Sequence, residues 1–172
     1  NPQGLTQWRT DAADLLRQQQ ELLHLEWRGP QGKVEAALDS PFQAPLFGYT
    51  SRDSVQQEAD LACVAAARLQ APALSRSYFV PLTGGRGLEV VDVCVPMDTP
   101  GPAGLGRGSV VLATLALGQV LERVASPAVL HRHELSFLEG DGTRLVRAGS
   151  VRGSGVYVAR RVVDLPGLSI TL

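Results

Sequence analysis

Arg76, Tyr78 and Asp92 are the side chains whose types and spacing could do chemistry together. Arg76 and Tyr78 lie two residues apart in a strand-like stretch, which puts both on one face. A guanidinium presents a fork that matches a carboxylate bidentately, and a phenol adds a directional donor. Asp92 interrupts the apolar run Val90-Val91-Asp92-Val93, where an unpaired charge is costly to bury. It therefore needs a partner, either an amine on a bound solute or Arg76 itself. Two readings stay open. In one, Arg76, Tyr78 and Asp92 line a pocket, with Phe47 and Tyr49 in a lid above it. In the other, Arg76 and Asp92 form an internal ion pair with Tyr78 packed at the edge.

The remaining polar candidates are weaker. His131 and His133 have the i, i+2 spacing that places both rings on one strand face, and His24 sits in a matching stretch. Arg132 lies between them and no partner cluster follows. Solvated or capping histidines are therefore expected, and no metal is assigned. Glu21 and Glu26 read as ordinary surface charges. No G-x-S-x-G elbow, P-loop, H-E-x-x-H or dinucleotide fingerprint occurs, so no catalytic residue and no cofactor are assigned. Gly84-Gly85 reads as a hairpin turn, and Gly104, Gly106 and Gly108 as a flexible connection. Cys63 and Cys94 are the only cysteines. In an oxidising compartment they could tie a helix to a central strand, worth about 3–4 kcal/mol on the chain-entropy model. Otherwise they are two buried thiols. Spacing alone does not decide between these.

Composition narrows the class. At 172 residues, 44% hydrophobic and 19% charged, the chain is globular and has material for a core. A net charge of −1 gives no electrostatic case for nucleic acid or an anionic membrane. The stretch from Gly108 to Leu121 carries no charge but is shorter than the ~20 residues a membrane span needs. The start at Asn1, without a signal peptide, and the stop at Leu172 inside a strand-like run lead us to expect a soluble piece of a longer protein.

The elements that must position these groups can be read in order. Leu5, Trp8, Ala12, Leu15, Gln19 and Leu22 recur at alternating steps of three and four. That is the seam of a helix pairing with another helix, or the face of an amphipathic helix packed on its own domain. Leu23, Leu25 and Trp27 then alternate with His24, Glu26 and Arg28, and Gly29-Pro30-Gln31-Gly32 turns the chain into Lys33–Leu38 as a hairpin. A loop holding Phe42, Phe47 and Tyr49 follows. Ser54 and Gln57 have capping-box spacing and open a helix whose buried face is Val55, Ala59, Ala62, Cys63, Ala66 and Leu69. Three strands, Leu74–Leu82, Leu88–Met97 and Ser109–Leu117, form the central sheet, with a Pro- and Gly-rich surface loop from Asp98 to Arg107. A short helix spans Gln119–Ala125.

The tail repeats the opening. His133–Leu138, the turn Glu139-Gly140-Asp141-Gly142 and Thr143–Ala148 match the first hairpin at an offset of 110, with Leu25 on Leu135, Trp27 on Phe137 and Gly32 on Gly142. Two more strands, Gly155–Val163 and Leu168–Leu172, flank Pro166-Gly167. The loop and helix of Pro41–Ala73 have no counterpart in this second copy.

Helix, hairpin, loop and helix, three-strand sheet and second hairpin-led sheet follow in an order that resembles the extracytoplasmic PAS-like sensor domains called PDC or Cache. Trp27-Arg28-Gly29-Pro30-Gln31-Gly32-Lys33-Val34, Ser75-Arg76-Ser77-Tyr78-Phe79, Gly87-Leu88-Glu89-Val90 and Glu139-Gly140-Asp141-Gly142-Thr143-Arg144-Leu145 are similar to the periplasmic sensor region of proteobacterial histidine kinases. The resemblance implies an α+β fold with a long N-terminal helix followed by tandem PAS-like antiparallel sheets, the second one reduced. It divides the chain into a helical dimer stalk over 1–22, a membrane-distal ligand-sensing unit over 23–126 and a reduced membrane-proximal unit over 127–172. It further implies a non-catalytic periplasmic fragment of an inner-membrane signalling protein in a two-component system. Such a fragment would be a homodimer through the first helix and would touch the membrane only through spans outside this sequence. Amino-acid-binding members use an Arg, an aromatic and an Asp, a set that the resemblance maps onto Arg76, Tyr78 and Asp92 and that implies a carboxylate or amino acid as ligand. A periplasmic protein-interaction module without a small ligand is the alternative.

Overall fold

The computed structural model describes residues 2–97, 108–150 and 157–172. The fold is α+β: an N-terminal helix, then a six-stranded and a four-stranded antiparallel sheet. The loop expected over 98–107 and the first residues of the strand expected from Gly155 lie outside the described residues.

Helix α1 (Pro2–Gln18) is shorter than the pattern to Leu22 predicts. Leu22 instead opens strand β1 (Leu22–Arg28), which forms a hairpin with β2 (Val34–Asp39). Trp8, Ala12 and Leu16 of α1 pack on Leu25, Leu38, Val111 and Ala113 of the sheet. The buried stripe thus runs at steps of four, and Leu15, expected on the seam, is 42% exposed. The helix spends its apolar face on its own sheet, the second of the two uses left open above.

Helix α2 (Arg52–Leu69) is capped by Ser51, not Ser54: the Ser51 side chain accepts from the backbone N–H of Asp53. Ala59, Ala62 and Ala66 bring α2 close to Ala73, Cys94, Val110 and Leu112. Leu69, expected on that face, is exposed. A disulfide joins Cys63 of α2 to Cys94. The chain then runs through β3 (Ala73–Leu74), β4 (Tyr78–Pro81), a tight turn over 83–85, β5 (Gly87–Pro96) and β6 (Val110–Ala116). The order is β2-β1-β6-β5-β3, with β4 also paired to β5. One face of this sheet lies under α2 and the loop over 40–50. Part of the other lies under α1.

Helices α3 (Leu117–Val124) and α4 (Pro127–Arg132) lead to β7 (Glu134–Leu138), β8 (Arg144–Gly149), β9 (Val162–Leu165) and β10 (Leu168–Thr171). His131 therefore sits in α4 and His133 caps it, so the expected shared strand face does not form. Pro127 begins this helix, where its missing N–H costs nothing. The second sheet has order β8-β7-β10-β9, which repeats the β2-β1-β6-β5 part of the first. Adding 110 to both members of every registered β1–β2 pair gives the β7–β8 pairs, including the irregularity after Trp27 and after Phe137. The turns match as well: Gly29 N–H to Lys33 O and Gly32 N–H to Gly29 O recur as Glu139 to Thr143 and Gly142 to Glu139. Residues 133–172 add no strand to the first sheet among the described residues.

The sheets share a core in which Val91, Leu117 and Leu121 meet Phe137, Ala148 and Ile170. The β9–β10 turn also docks on β3, where Leu74 N–H donates to Pro166 O at 2.7 Å. Gly167 in that turn has φ +94°, and a Cβ there would lie 2.1 Å from Leu74 O. Only glycine satisfies both the backbone and the approach.

Candidate functional site

Sheet alternation places His24, Glu26 and Arg28 on the face beneath α2 and the 40–50 loop. Cross-strand register then lines up Asp39 of β2, His24 of β1, Thr114 of β6 and Asp92 of β5 in one row. Because helix and loop cover this face, His24, Thr114 and Asp92 are buried and Asp39 is half-buried.

Asp92 is fully buried. Its Oδ1 accepts from Thr114 Oγ1 at 2.6 Å and its Oδ2 from Tyr78 Oη at 3.0 Å. Its backbone N–H donates to Ser75 Oγ at 2.9 Å. The partner demanded by an acid in an apolar run is thus supplied by hydroxyl groups of the chain itself. Tyr78 and Asp92 come together as expected. Arg76 does not join them in the strand: it is exposed in the connection between β3 and β4. The three-residue gap between those strands breaks the alternation on which the shared face of Arg76 and Tyr78 depends.

The neighbouring part of the row holds a cluster that the sequence reading missed. His24 Nδ1 lies 2.6 Å from Asp39 Oδ1 and its Nε2 lies 3.0 Å from Glu26 Oε1. Arg28 Nε donates to Glu26 Oε2 at 2.8 Å and its Nη1 to Asp60 Oδ1 of α2 at 2.7 Å. Arg28 is 1% exposed and Glu26 3%, so Glu26 is no surface charge. Burial opposes a charge on His24, but hydrogen bonds to Asp39 and Glu26 outweigh it and hold the imidazole above its ordinary pKa. Burial likewise works to raise Asp39, yet its bonds with His24 and with the Leu46 backbone N–H keep that carboxyl below the usual range. With both ring nitrogens engaged by carboxylates, neither is free to take a proton from a substrate. The cluster clamps rather than catalyses. It ties β1 to α2 through Arg28–Asp60, and to the covering loop through Asp39–Leu46.

The signal for this cluster was available. His24, Glu26 and Arg28 occupy alternate positions of one strand, and their charges are complementary. They read as a solvated face only on the assumption that one side of the hairpin is open.

Open space lies at the edge of the covered face. A groove of about 590 Å³ runs between the 40–50 loop and the β4–β5 turn, lined by Phe42, Gln43, Tyr49, Thr83, Arg86 and Leu88, among others. A smaller recess of about 250 Å³ adjoins it and shares Phe42, Gln43 and Leu88. Of the four expected ligand residues, Tyr49 lines this groove, and it is 63% exposed. Arg86 is the charged side chain on its wall. Among the described residues no three His, Cys, Asp or Glu converge as metal ligands, and no helix is long and apolar enough to cross a membrane. No family model matches the chain, and no curated protein is significantly similar to it.

Proposed function

We propose that this chain is the extracytoplasmic sensing domain of a membrane-bound signal-transduction protein, a sensor histidine kinase by the resemblance of its motifs. The observation that carries the reading is an asymmetry. Two sheets share one hairpin register, yet among the described residues α2 and the 40–50 loop lie over the first alone, and a solute-sized groove opens beside that cover. The ligand is a small solute, with Tyr49 and Arg86 as its contacts. The motif resemblance favours a carboxylate or an amino acid. The fragment itself carries out no chemistry.

A bound solute acts only through a difference in affinity between two arrangements of the domain. Two contacts supply the route to the second sheet: the core around Leu117 and Leu121, and the Leu74–Pro166 hydrogen bond. Movement of the loop over 40–50 reaches the first sheet through Leu46, whose N–H holds Asp39.

A thermal-shift screen of amino acids, carboxylates and amines tests the reading. A ligand at a hundred times its Kd stabilises the folded state by about 2.7 kcal/mol and raises the melting temperature. Tyr49→Ala and Arg86→Gln should abolish the shift, and Arg76→Gln should leave it. Silence across the screen would reject solute sensing. It would favour the periplasmic protein-interaction module instead, for which the exposed rings of Phe42, Tyr49 and Phe79 are the supporting observation.

A further inference from the structure

Strand β9 ends the order β8-β7-β10-β9, so one side of it has no strand partner among the described residues. Its hydrogen-bond phase is fixed by Arg161, which exchanges both backbone bonds with Leu172 at 2.8 Å. Antiparallel pairs alternate between bonded and non-bonded, so Val162 and Asp164 aim their N–H and C=O groups at the open side. Val162 is 64% exposed, and Tyr157 and Val158 just before the strand are exposed as well. A free edge with exposed apolar side chains is a template for another strand.

We propose that β9 pairs antiparallel with β9 of a second copy about a two-fold axis at Val162. Both strands present even-numbered residues outward, which restricts the register. Placing Val162 opposite Val162 sets Arg160 of each copy against Asp164 of the other, and both of these side chains are exposed. A shift by two residues in either direction loses both charge pairs. Among the other described edges, β8 carries Arg144 and Arg147 with no acid and β4 carries no charge, so two copies would meet like charges or none there. Strand β2 has Lys33 just before it beside Glu35, and is the competing edge that the cross-linking below tells apart from β9. The two four-stranded sheets become one continuous sheet across the axis. This is a different contact from a pairing through α1, whose apolar stripe is covered by its own sheet.

Cysteine cross-linking reads the register directly, and the background is clean because Cys63 and Cys94 are already bonded to each other. Val162→Cys should form disulfide-linked dimers at least about tenfold faster than Val158→Cys, whose two copies would lie roughly 26 Å apart at about 3.3 Å per residue. In the Val162→Cys background, Arg160→Glu should slow linking to the Val158→Cys rate. Adding Asp164→Arg should restore it, which also shows that the charge variants fold. Equal rates for Val162→Cys and Val158→Cys would overturn the proposal. So would cross-linking that ignores Arg160→Glu, or a double exchange that fails to recover.

Discussion

The hairpins β1–β2 and β7–β8 share register, turn hydrogen bonds and the irregularity near their tips, yet equivalent positions meet opposite surroundings. His24 corresponds to Glu134, Glu26 to Ser136, Arg28 to Leu138 and Asp39 to Gly149. In the first hairpin these positions lie under α2 and its loop, and three of them are nine-tenths or more buried. In the second, Glu134, Ser136 and Leu138 are only half-buried, α4 approaches at Gly149 through Leu130, and Glu134 reaches Arg144 and Arg147 at 3.4 and 3.6 Å. The comparison teaches that the strand pattern sets which residues share a face. What lies over that face decides whether their charges are clamps or decoration.

The largest test of this contrast removes one buried charge. Arg28→Ala removes the guanidinium from buried Glu26 and from Asp60 and should lower stability by about 3–5 kcal/mol in urea denaturation. The equivalent Leu138→Ala, at a half-buried position, should cost about 1 kcal/mol. Similar losses at the two positions would break the contrast.

The cover can also be loosened. Cys63→Ala with Cys94→Ala removes the bond holding α2 to β5, and the chain-entropy model puts the loss at about 3–4 kcal/mol. Because the second sheet has no such bridge, amide exchange should accelerate under α2 more than in β7 and β8. Uniform acceleration would mean that the two sheets open together.

A pH series sharpens the comparison further. The raised His24 contributes stability that is complete below the ordinary imidazole pKa of about 6.5 and is lost as pH climbs through its higher folded value. Asp39, lowered, contributes above the ordinary carboxylate range and loses that contribution as pH falls through its folded value. Denaturation from about pH 5 to about pH 9 should therefore show a decline on the alkaline side that His24→Gln removes. Parallel declines in the two proteins would place its source elsewhere. The smallest effect belongs to the second hairpin: Arg147→Ala, half of an exposed ion pair, should change stability by less than about 1 kcal/mol.

Much of the architecture was legible because local signals agreed. Gly29-Pro30-Gln31-Gly32 and Asp141-Gly142 fixed both turns, and the offset of 110 carried the register from one sheet to the other. Pro127 follows the end of α3 and also occupies the first turn of α4, a helix the sequence reading did not assign, because proline is equally at home after one helix and at the start of the next. The seam of α1 also misled, since steps of three and four describe a partner helix and a partner sheet almost equally well. At the site, the need of Asp92 for a partner was readable from its apolar neighbours. Tyr78 was in the group read from the sequence, but Thr114 was not, because it is 22 residues away and its hydroxyl gives no charge signal.

The sequence by itself determined most of the elements, the repeat and the residues that share a face in each hairpin, because turns and alternation are local properties of the chain. Tertiary structure alone decided that His24, Glu26 and Arg28 are buried, that Arg76 stands apart from Asp92, and that the groove opens at Tyr49 and Arg86. Those outcomes depend on where α2 and the 40–50 loop come to rest. That placement follows from the close approach of Ala59, Ala62 and Ala66 to the sheet, a contact between segments distant in the chain that no local pattern encodes.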